Sequence, residues 1–381
     1  MRALLTLFLS GICIWLSAQT TDTEPILRLD LPMHDASIRN IDTDQQGRYL
    51  LTASFDKTAK LWDIATGKLI RTFRPPIGIE NIGKLNAAAI SPDGNTVAIG
   101  GYSQKKEHAI YIFDVTSGQM INWVPGQEGV ILDLEYSSDG RYLAASRGKG
   151  SGIQVYRSST YTEVFADRNY DNDTYGIAFD KSGRLATACI DGYIRLYDQN
   201  FKLLKQLKTS VGNWPFSLSF SPDGAHLAVG YEDSPVVQVL NAYDLSLEFT
   251  PDNTEADVRH NHLIHVAYST DGAYLLAGGY YRKNIPIFRN NVLQGNLQFQ
   301  IRKWSEAGRG SYTDITAGEN TISCIKPIPG NQLVFSSHLP DWGVIDLTSN
   351  QRSLFQTTEV NLFLTTNIQH LRLSADGFEL G

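Results

Sequence analysis

The chain predicts an all-β fold, a seven-bladed propeller of four-stranded antiparallel blades with a partial eighth repeat at the C-terminal end. Three observations carry that prediction. Eight glycines, Gly47, Gly94, Gly140, Gly183, Gly224, Gly272, Gly330 and Gly377, recur at gaps of 47, 46, 43, 41, 48, 58 and 47 residues, and a period in that range marks a propeller or a solenoid. Each glycine ends or nearly ends a turn that joins segments of period-two alternation. No segment after residue 18 shows sustained helical spacing.

The turns come first because they set the phase. In Ser91-Pro92-Asp93-Gly94 and Ser221-Pro222-Asp223-Gly224 the Pro fixes φ, the Asp bonds its own backbone and the Gly accepts a positive φ. Ser137-Ser138-Asp139-Gly140, Ser269-Thr270-Asp271-Gly272 and Ser374-Ala375-Asp376-Gly377 are variants. Before each turn runs an inner strand, as in Val130, Leu132, Leu134 and Tyr136 interleaved with Asp133 and Glu135, which is the alternation of a half-buried strand. After it comes a second strand of small and apolar residues, Tyr49-Leu50-Leu51-Thr52-Ala53-Ser54 in the first repeat and Leu185-Ala186-Thr187-Ala188-Cys189 in the fourth. A third strand ends on an aromatic or aliphatic residue, as in Leu61-Trp62-Asp63 and Leu196-Tyr197-Asp198.

The 58-residue gap has a local cause, an insertion over residues 281–295 between the second and third strands of blade six. Residues 25–31 alternate as a leading strand that would complete the last blade and close the ring, which protects its edges. Residues 367–381 supply a first strand, a turn and the start of a second strand. An exposed half-hairpin is something native proteins avoid, so the chain is either a fragment cut in mid-repeat or one that tolerates a frayed tail.

Residues 34–73 resemble a WD (Trp-Asp) repeat: His34, then the strand and turn, then Leu50-Leu51-Thr52-Ala53-Ser54-Phe55-Asp56, then Lys60-Leu61-Trp62-Asp63 and Gly67. In that family a His, a strand Ser or Thr, a turn Asp and a Trp form a hydrogen-bonded structural tetrad, and the resemblance implies His34, Thr52, Asp56 and Trp62 for it. Elsewhere the chain departs from the pattern. Asp191 and Asp233 hold the turn position with no preceding His, and the Trp becomes Phe113, Tyr156, Tyr197, Leu240 and Ile345. Three stretches of the second half, Arg184-Leu185-Ala186-Thr187 with residues 191–198, residues 304–310, and Asp341-Trp342-Gly343-Val344-Ile345-Asp346, look like the propeller portion of bacterial exported WD-repeat proteins that carry a C-terminal caspase-like peptidase. That resemblance implies a peptidase beyond Gly381 and none within the chain.

Length and charge narrow the function. A chain of 381 residues builds a large core, which a propeller spreads between blades. With 33 basic against 40 acidic residues and no Lys or Arg run beyond two, the basic stripe that nucleic acid requires is missing. Residues 1–18 read as a secretory signal peptide, with Arg2 before an apolar stretch and Ser17-Ala18 as a small-residue exit. The stretch is short for a transmembrane span, with Leu16 bulky enough near the cut to leave an uncleaved anchor open. The expectation is an exported protein, periplasmic or secreted, with the propeller over residues 19–366 and no membrane contact beyond the signal peptide. Cys189 and Cys324, on blades four and seven, are expected as buried free thiols.

No catalytic residue emerges. Both cysteines sit in strand interiors, where a thiolate is hard to form, and no Gly-x-Ser-x-Gly elbow appears. His260, His262 and His265 are weak metal candidates, because in an extended chain the first two point to one face and the third to the other. Residues 171–176 have the opening rhythm of a calcium loop but lack its closing Glu, Ser182 standing there. Loop aromatics Trp123, Trp214, Tyr280, Tyr281 and Phe288 mark a candidate partner surface, the alternative being that they cover blade edges. The expectation is a non-catalytic protein-interaction scaffold with a protein or peptide partner and no cofactor. The rival is a metal-assisted hydrolase at the central channel, built on the blade-six histidines.

Overall fold

A computed structural model describes residues 31–103, 108–254, 262–289 and 292–357, with side chains excepted over 286–289 and 292–296. Blade one is β1 (Ile38–Thr43), β2 (Tyr49–Ser54), β3 (Ala59–Asp63) and β4 (Leu69–Phe73). Blade two is β5 (Leu85–Ile90), β6 (Thr96–Gly101), β7 (His108–Asp114) and β8 (Met120–Gln127). Blade three is β9 (Ile131–Tyr136), β10 (Tyr142–Arg147), β11 (Ile153–Arg157) and β12 (Thr162–Asp167). Blade four is β13 (Thr174–Phe179), β14 (Leu185–Cys189), β15 (Tyr193–Tyr197) and β16 (Leu203–Lys208). Blade five is β17 (Pro215–Phe220), β18 (His226–Tyr231), β19 (Gln238–Asn241) and β20 (Leu247–Phe249). Blade six holds β21 (His265–Tyr268), β22 (Leu275–Gly278), β23 (Arg282–Arg289), β24 (Val292–Trp304) and β25 (Tyr312–Gly318). Blade seven is β26 (Ile322–Ile328), β27 (Gln332–Ser337), β28 (Trp342–Asp346) and β29 (Gln351–Gln356).

Every sheet is antiparallel and pairs in chain order, except that β23 lies outside β24 in blade six. Each inner strand contacts the next around the circle, and β26 contacts β1, so the seven blades close a ring. Blade seven draws four strands from residues 322–356. The leading strand expected at 25–31, apart from Leu31, lies outside the described residues, as do the segments 1–18 and 367–381. Among the described residues the one helical element is the 3-10 turn Glu306–Gly308, and no helix is long and apolar enough to cross a membrane.

The turn chemistry works as the sequence implies. Gly94 at φ 76° donates to the Ser91 carbonyl at 2.8 Å, Ser91 Oγ donates to Asp93 at 2.6 Å, and Asp93 accepts the Asn95 amide at 3.0 Å. Seven apolar clusters follow, one at each blade junction. One joins Leu51, Leu61 and Phe73 of blade one to Leu85, Val97 and Ile99 of blade two, and another joins Ile41, Leu50 and Trp62 to Val334, Trp342 and Val344 of blade seven. The insertion in blade six is a β-ribbon: β23 pairs with the first part of β24 from Arg282 opposite Phe299 to Arg289 opposite Val292, and the rest of β24 completes the blade between β22 and β25.

Candidate functional site

In blade one, Asp56 accepts from His34 Nδ1 at 2.6 Å, His34 Nε2 lies 2.7 Å from Thr52 Oγ1, and Trp62 Nε1 donates to that same hydroxyl at 3.0 Å. His34 and Thr52 are fully buried. Burial works to raise the Asp56 carboxyl, and hydrogen bonds from His34 and Thr58 outweigh it, holding the group below the usual carboxylate range. Blade four rebuilds this arrangement with other residues. Thr52 pairs with Ile41, seven residues after His34, and Thr187 pairs with Ile177, seven residues after Tyr170. Tyr170 in the histidine's place reaches Thr187 Oγ1 at 2.9 Å and Tyr197 OH at 3.0 Å. Arg195 then ties Asp191 at 2.8 Å and lies 3.9 Å over the Tyr170 ring. A preceding Tyr was the signal that sequence reasoning passed over.

The central channel is built from alternate residues of the inner strands. Register places Asn40, Ala87, Asp133, Gly176, Ser217, His265 and Cys324 in one ring, and Asp42, Ala89, Glu135, Ala178, Ser219, Ala267 and Lys326 in the next. Inner strands have a free edge, and unpaired backbone amides there need acceptors. Blades one, three and five supply them. Asp42 accepts the Ile90 amide at 2.9 Å, Asp133 that of Ile177 and Glu135 that of Phe179 at 3.3 Å, Ser217 that of Val266 at 3.0 Å and Ser219 that of Tyr268 at 3.1 Å. Lys326 answers the carboxylates, 3.1 Å from Asp42 and 3.8 Å from Glu135. Burial, with Glu135 adding to it, pushes the Asp133 carboxyl up to about 7.

The channel opens into a cavity of about 340 Å³ whose lining includes Arg39, Tyr175, Phe216, Glu232, His265 and His338. Tyr175 and Phe216 stack with centroids 4.6 Å apart, and His265 meets the Phe216 ring edge-on at 5.6 Å. Arg39 Nη1 lies 3.1 Å from His338 Nε2. Burial first, then the His338 imidazole and the Arg39 cation, push His265 down to about 3, and burial with Arg39 pushes His338 down to about 4.

These shifts set a pH dependence. An unfolded His takes up a proton near pH 6.5, while the fold refuses it until the values just given, so both histidines favour the fold above pH 6.5 and that advantage is lost as pH falls. Asp133 acts oppositely, its contribution being full below the unfolded carboxyl value and lost as pH rises through about 7. His265→Asn is expected to flatten the loss of stability between pH 6.5 and 4, by up to about 1.4 kcal/mol per pH unit. Denaturant unfolding at stepped pH reads it, and an unchanged slope refutes it.

The expected site residues disperse. Trp214, 48% exposed, stands just before β17, and its amide donates to Asp233 at 3.1 Å. Trp123, 55% exposed, lies on the outer strand β8. Tyr280 is half-buried against Phe299. Tyr281 corrects the expectation of an exposed aromatic: it is fully buried, donating to Asp314 at 2.7 Å and accepting from Arg302 at 2.9 Å. The reason is that the ring packs into the cluster of blades five and six with Trp304 while its hydroxyl meets Asp314 and Arg302. The Phe288 side chain and His260 lie outside the described residues. His265 lines the channel, and His262 sits half-buried before β21. Among the described residues no three His, Cys, Asp or Glu side chains are placed to hold a metal ion together. Cys189 is buried, whereas Cys324 is half-buried on the channel wall, a correction that follows from its place in the inner strand. Arg39, Tyr175, Phe216 and His338 were not singled out, because no single repeat shows that they converge.

The WD domain, G-beta repeat family matches residues 25–63, which cover the first blade up to Asp63. Similar proteins include the nuclear distribution protein PAC1 of Coccidioides posadasii, 25% identical over 61% of this chain and 44% of its own length. Pre-mRNA-processing factor 19 of Oryza sativa is 24% identical over 67% of this chain and 47% of its own length, and periodic tryptophan protein 2 of Saccharomyces cerevisiae is 24% identical over 76% and 33%. The chain thus spans less than half the length of these relatives. They overturn the expectation of an exported, periplasmic or secreted protein, since the matched proteins are eukaryotic ones named for nuclear distribution and pre-mRNA processing. The match over the first blade and these relatives together support a WD-repeat propeller.

Proposed function

We propose that this propeller is a non-catalytic scaffold that binds a protein or peptide at the mouth of its central channel. The observation that carries the reading is the convergence of Tyr175 and Phe216, with Arg39 beside them, on one open cavity, the exposed Trp214 standing two residues before Phe216 outside that lining. Aromatic and Arg side chains held on a rigid frame are the groups that dominate interfaces. The WD-repeat relatives support the reading, WD propellers being generally protein-binding scaffolds.

Cross-linked capture from the cells that make the protein tests it. Phe216→Ala and Trp214→Ala are expected to lower capture of the wild-type partner about tenfold, the effect of losing one hot-spot side chain, while Trp123→Ala on the outer rim leaves it unchanged. Equal capture by all three variants removes the mouth as the binding site. On the three second-half stretches we further propose that the ring docks or restrains a caspase-like domain in the same polypeptide. The reading frame after Gly381 tests that, a His and Cys in a caspase-like setting supporting it and their absence ending it.

A further inference from the structure

The channel mouth carries a cation, Arg39, that makes no ion pair among the described residues, the Glu232 carboxylate favouring its charge only from beyond ion-pair distance. Arg39 is half-buried on β1, its Nε is buried with no hydrogen-bond partner, and its contacts are His338 Nε2 at 3.1 Å and the Phe55 ring at 5.0 Å. To accept from a guanidinium the His338 Nε2 keeps its lone pair, so it brings no negative charge. Lys84 Nζ sits 5.3 Å from the same Phe55 ring, placing two cations on one aromatic side chain. Three other buried arginines are matched: Arg184 with Asp180 at 2.9 Å, Arg195 with Asp191 at 2.8 Å and Arg302 with Asp314 at 2.8 Å. Arg147 lacks such a match too, but it is fully covered, whereas Arg39 lines an open cavity.

The deeper acids of the channel are engaged elsewhere, and Glu232 at the mouth favours the Arg39 charge without reaching it. Asp133 accepts from Asn40 at 3.0 Å and from the Ile177 amide, Asp42 and Glu135 face Lys326, and Glu232 lines the cavity without an ion pair to Arg39. A desolvated guanidinium without a carboxylate is costly, and its forked donors fit one. A second cavity of about 330 Å³ adjoins the first through Leu132 and Tyr175 and runs toward His108 and Lys149. The depression is longer than one side chain and suits an extended segment.

We propose that this mouth takes an Asp or Glu side chain of a partner polypeptide, its carboxylate on Arg39 and the flanking residues along Tyr175 and Phe216. The inference rests on the partner-binding reading above and names what the site selects. The deeper carboxylates repel the ligand's own, so the acid stops at the rim.

The test uses the whole chain and an array of short peptides in matched sets that differ only in a central Glu, Gln or phosphoserine. The Glu set is expected to bind about tenfold tighter than the Gln set at low salt and to lose that margin as salt rises. Arg39→Met is expected to erase the preference, and Lys84→Gln, at a half-buried position, to reduce it should the first variant unfold. Trp123→Ala preserves it. Equal binding of Glu and Gln sets, a preference that survives Arg39→Met, or binding of the phosphoserine set alone overturns the inference while leaving partner binding intact. Failure to bind any set overturns both.

Discussion

Trp62→Ala is expected to lower the unfolding free energy by about 4 kcal/mol, the range of a large aromatic removed from a packed site. Trp62 is 2% exposed and holds two links at once. Its Nε1 donates to Thr52 within blade one, and its ring meets Trp342 of blade seven with centroids 5.6 Å apart. Deleting it opens a void where the first and last blades touch and loosens the hydrogen bonds that orient His34 and Asp56. Asp56→Ala removes the acceptor shared by His34 and by the amide and hydroxyl of Thr58, but leaves no large void, and is expected to cost about 1–3 kcal/mol. Denaturant midpoints measure both, with Trp123→Ala as a surface control near zero. A midpoint for Trp62→Ala equal to the wild type would show that these residues do not stabilise the ring.

Arg302→Met carries the second large effect. Arg302 is fully buried, donates from Nε to one Asp314 oxygen at 2.8 Å and from Nη2 to the other at 3.0 Å, and lies 3.7 Å from the Tyr312 ring centroid. Burial works to raise the Asp314 carboxyl, and hydrogen bonds from Arg302, Lys283 and Tyr281 outweigh it, so the group sits below its ordinary value. Removing one partner of a buried pair costs about 3–5 kcal/mol. The lower end, about 3 kcal/mol, is expected because Lys283 remains 2.7 Å from Asp314. A depressed carboxyl contributes stability above its unfolded pKa and loses it as pH falls through the folded one. The destabilisation by Arg302→Met is therefore expected to shrink in acid, and one that is constant from pH 7 to pH 3 would refute the pairing.

The blades were legible because each is written locally. The Ser-Pro-Asp-Gly turn, the alternating strand before it and the apolar strand after it all lie within one period, so the phase of the ring can be read from one repeat at a time. The insertion in blade six was legible as an excess of residues but not as a ribbon, since strand pairing between Arg282 and Phe299 is a property of the folded loop. Tyr281 was misplaced for the same reason. The channel mouth was hidden more deeply: Arg39, Tyr175, Phe216 and His338 come from blades one, four, five and seven, and only closure of the circle makes them neighbours. Tyr170 shows the converse limit. Its role in blade four depends on a register shared with His34, which a search for histidine cannot find.

The amide acceptors along the channel carry a consequence for how the circle comes apart. They run from odd-numbered blades to even-numbered ones, one to two, three to four and five to six, and an alternating rule has no consistent assignment on an odd number of units. Blade seven is the remainder, and there a lysine faces the carboxylates of blades one and three. In these channel bonds the ring is thus three couplets and a singleton, although an apolar cluster seals every junction. Mechanical extension should part it first at the seam beside that singleton, leaving the couplets as the units that yield together.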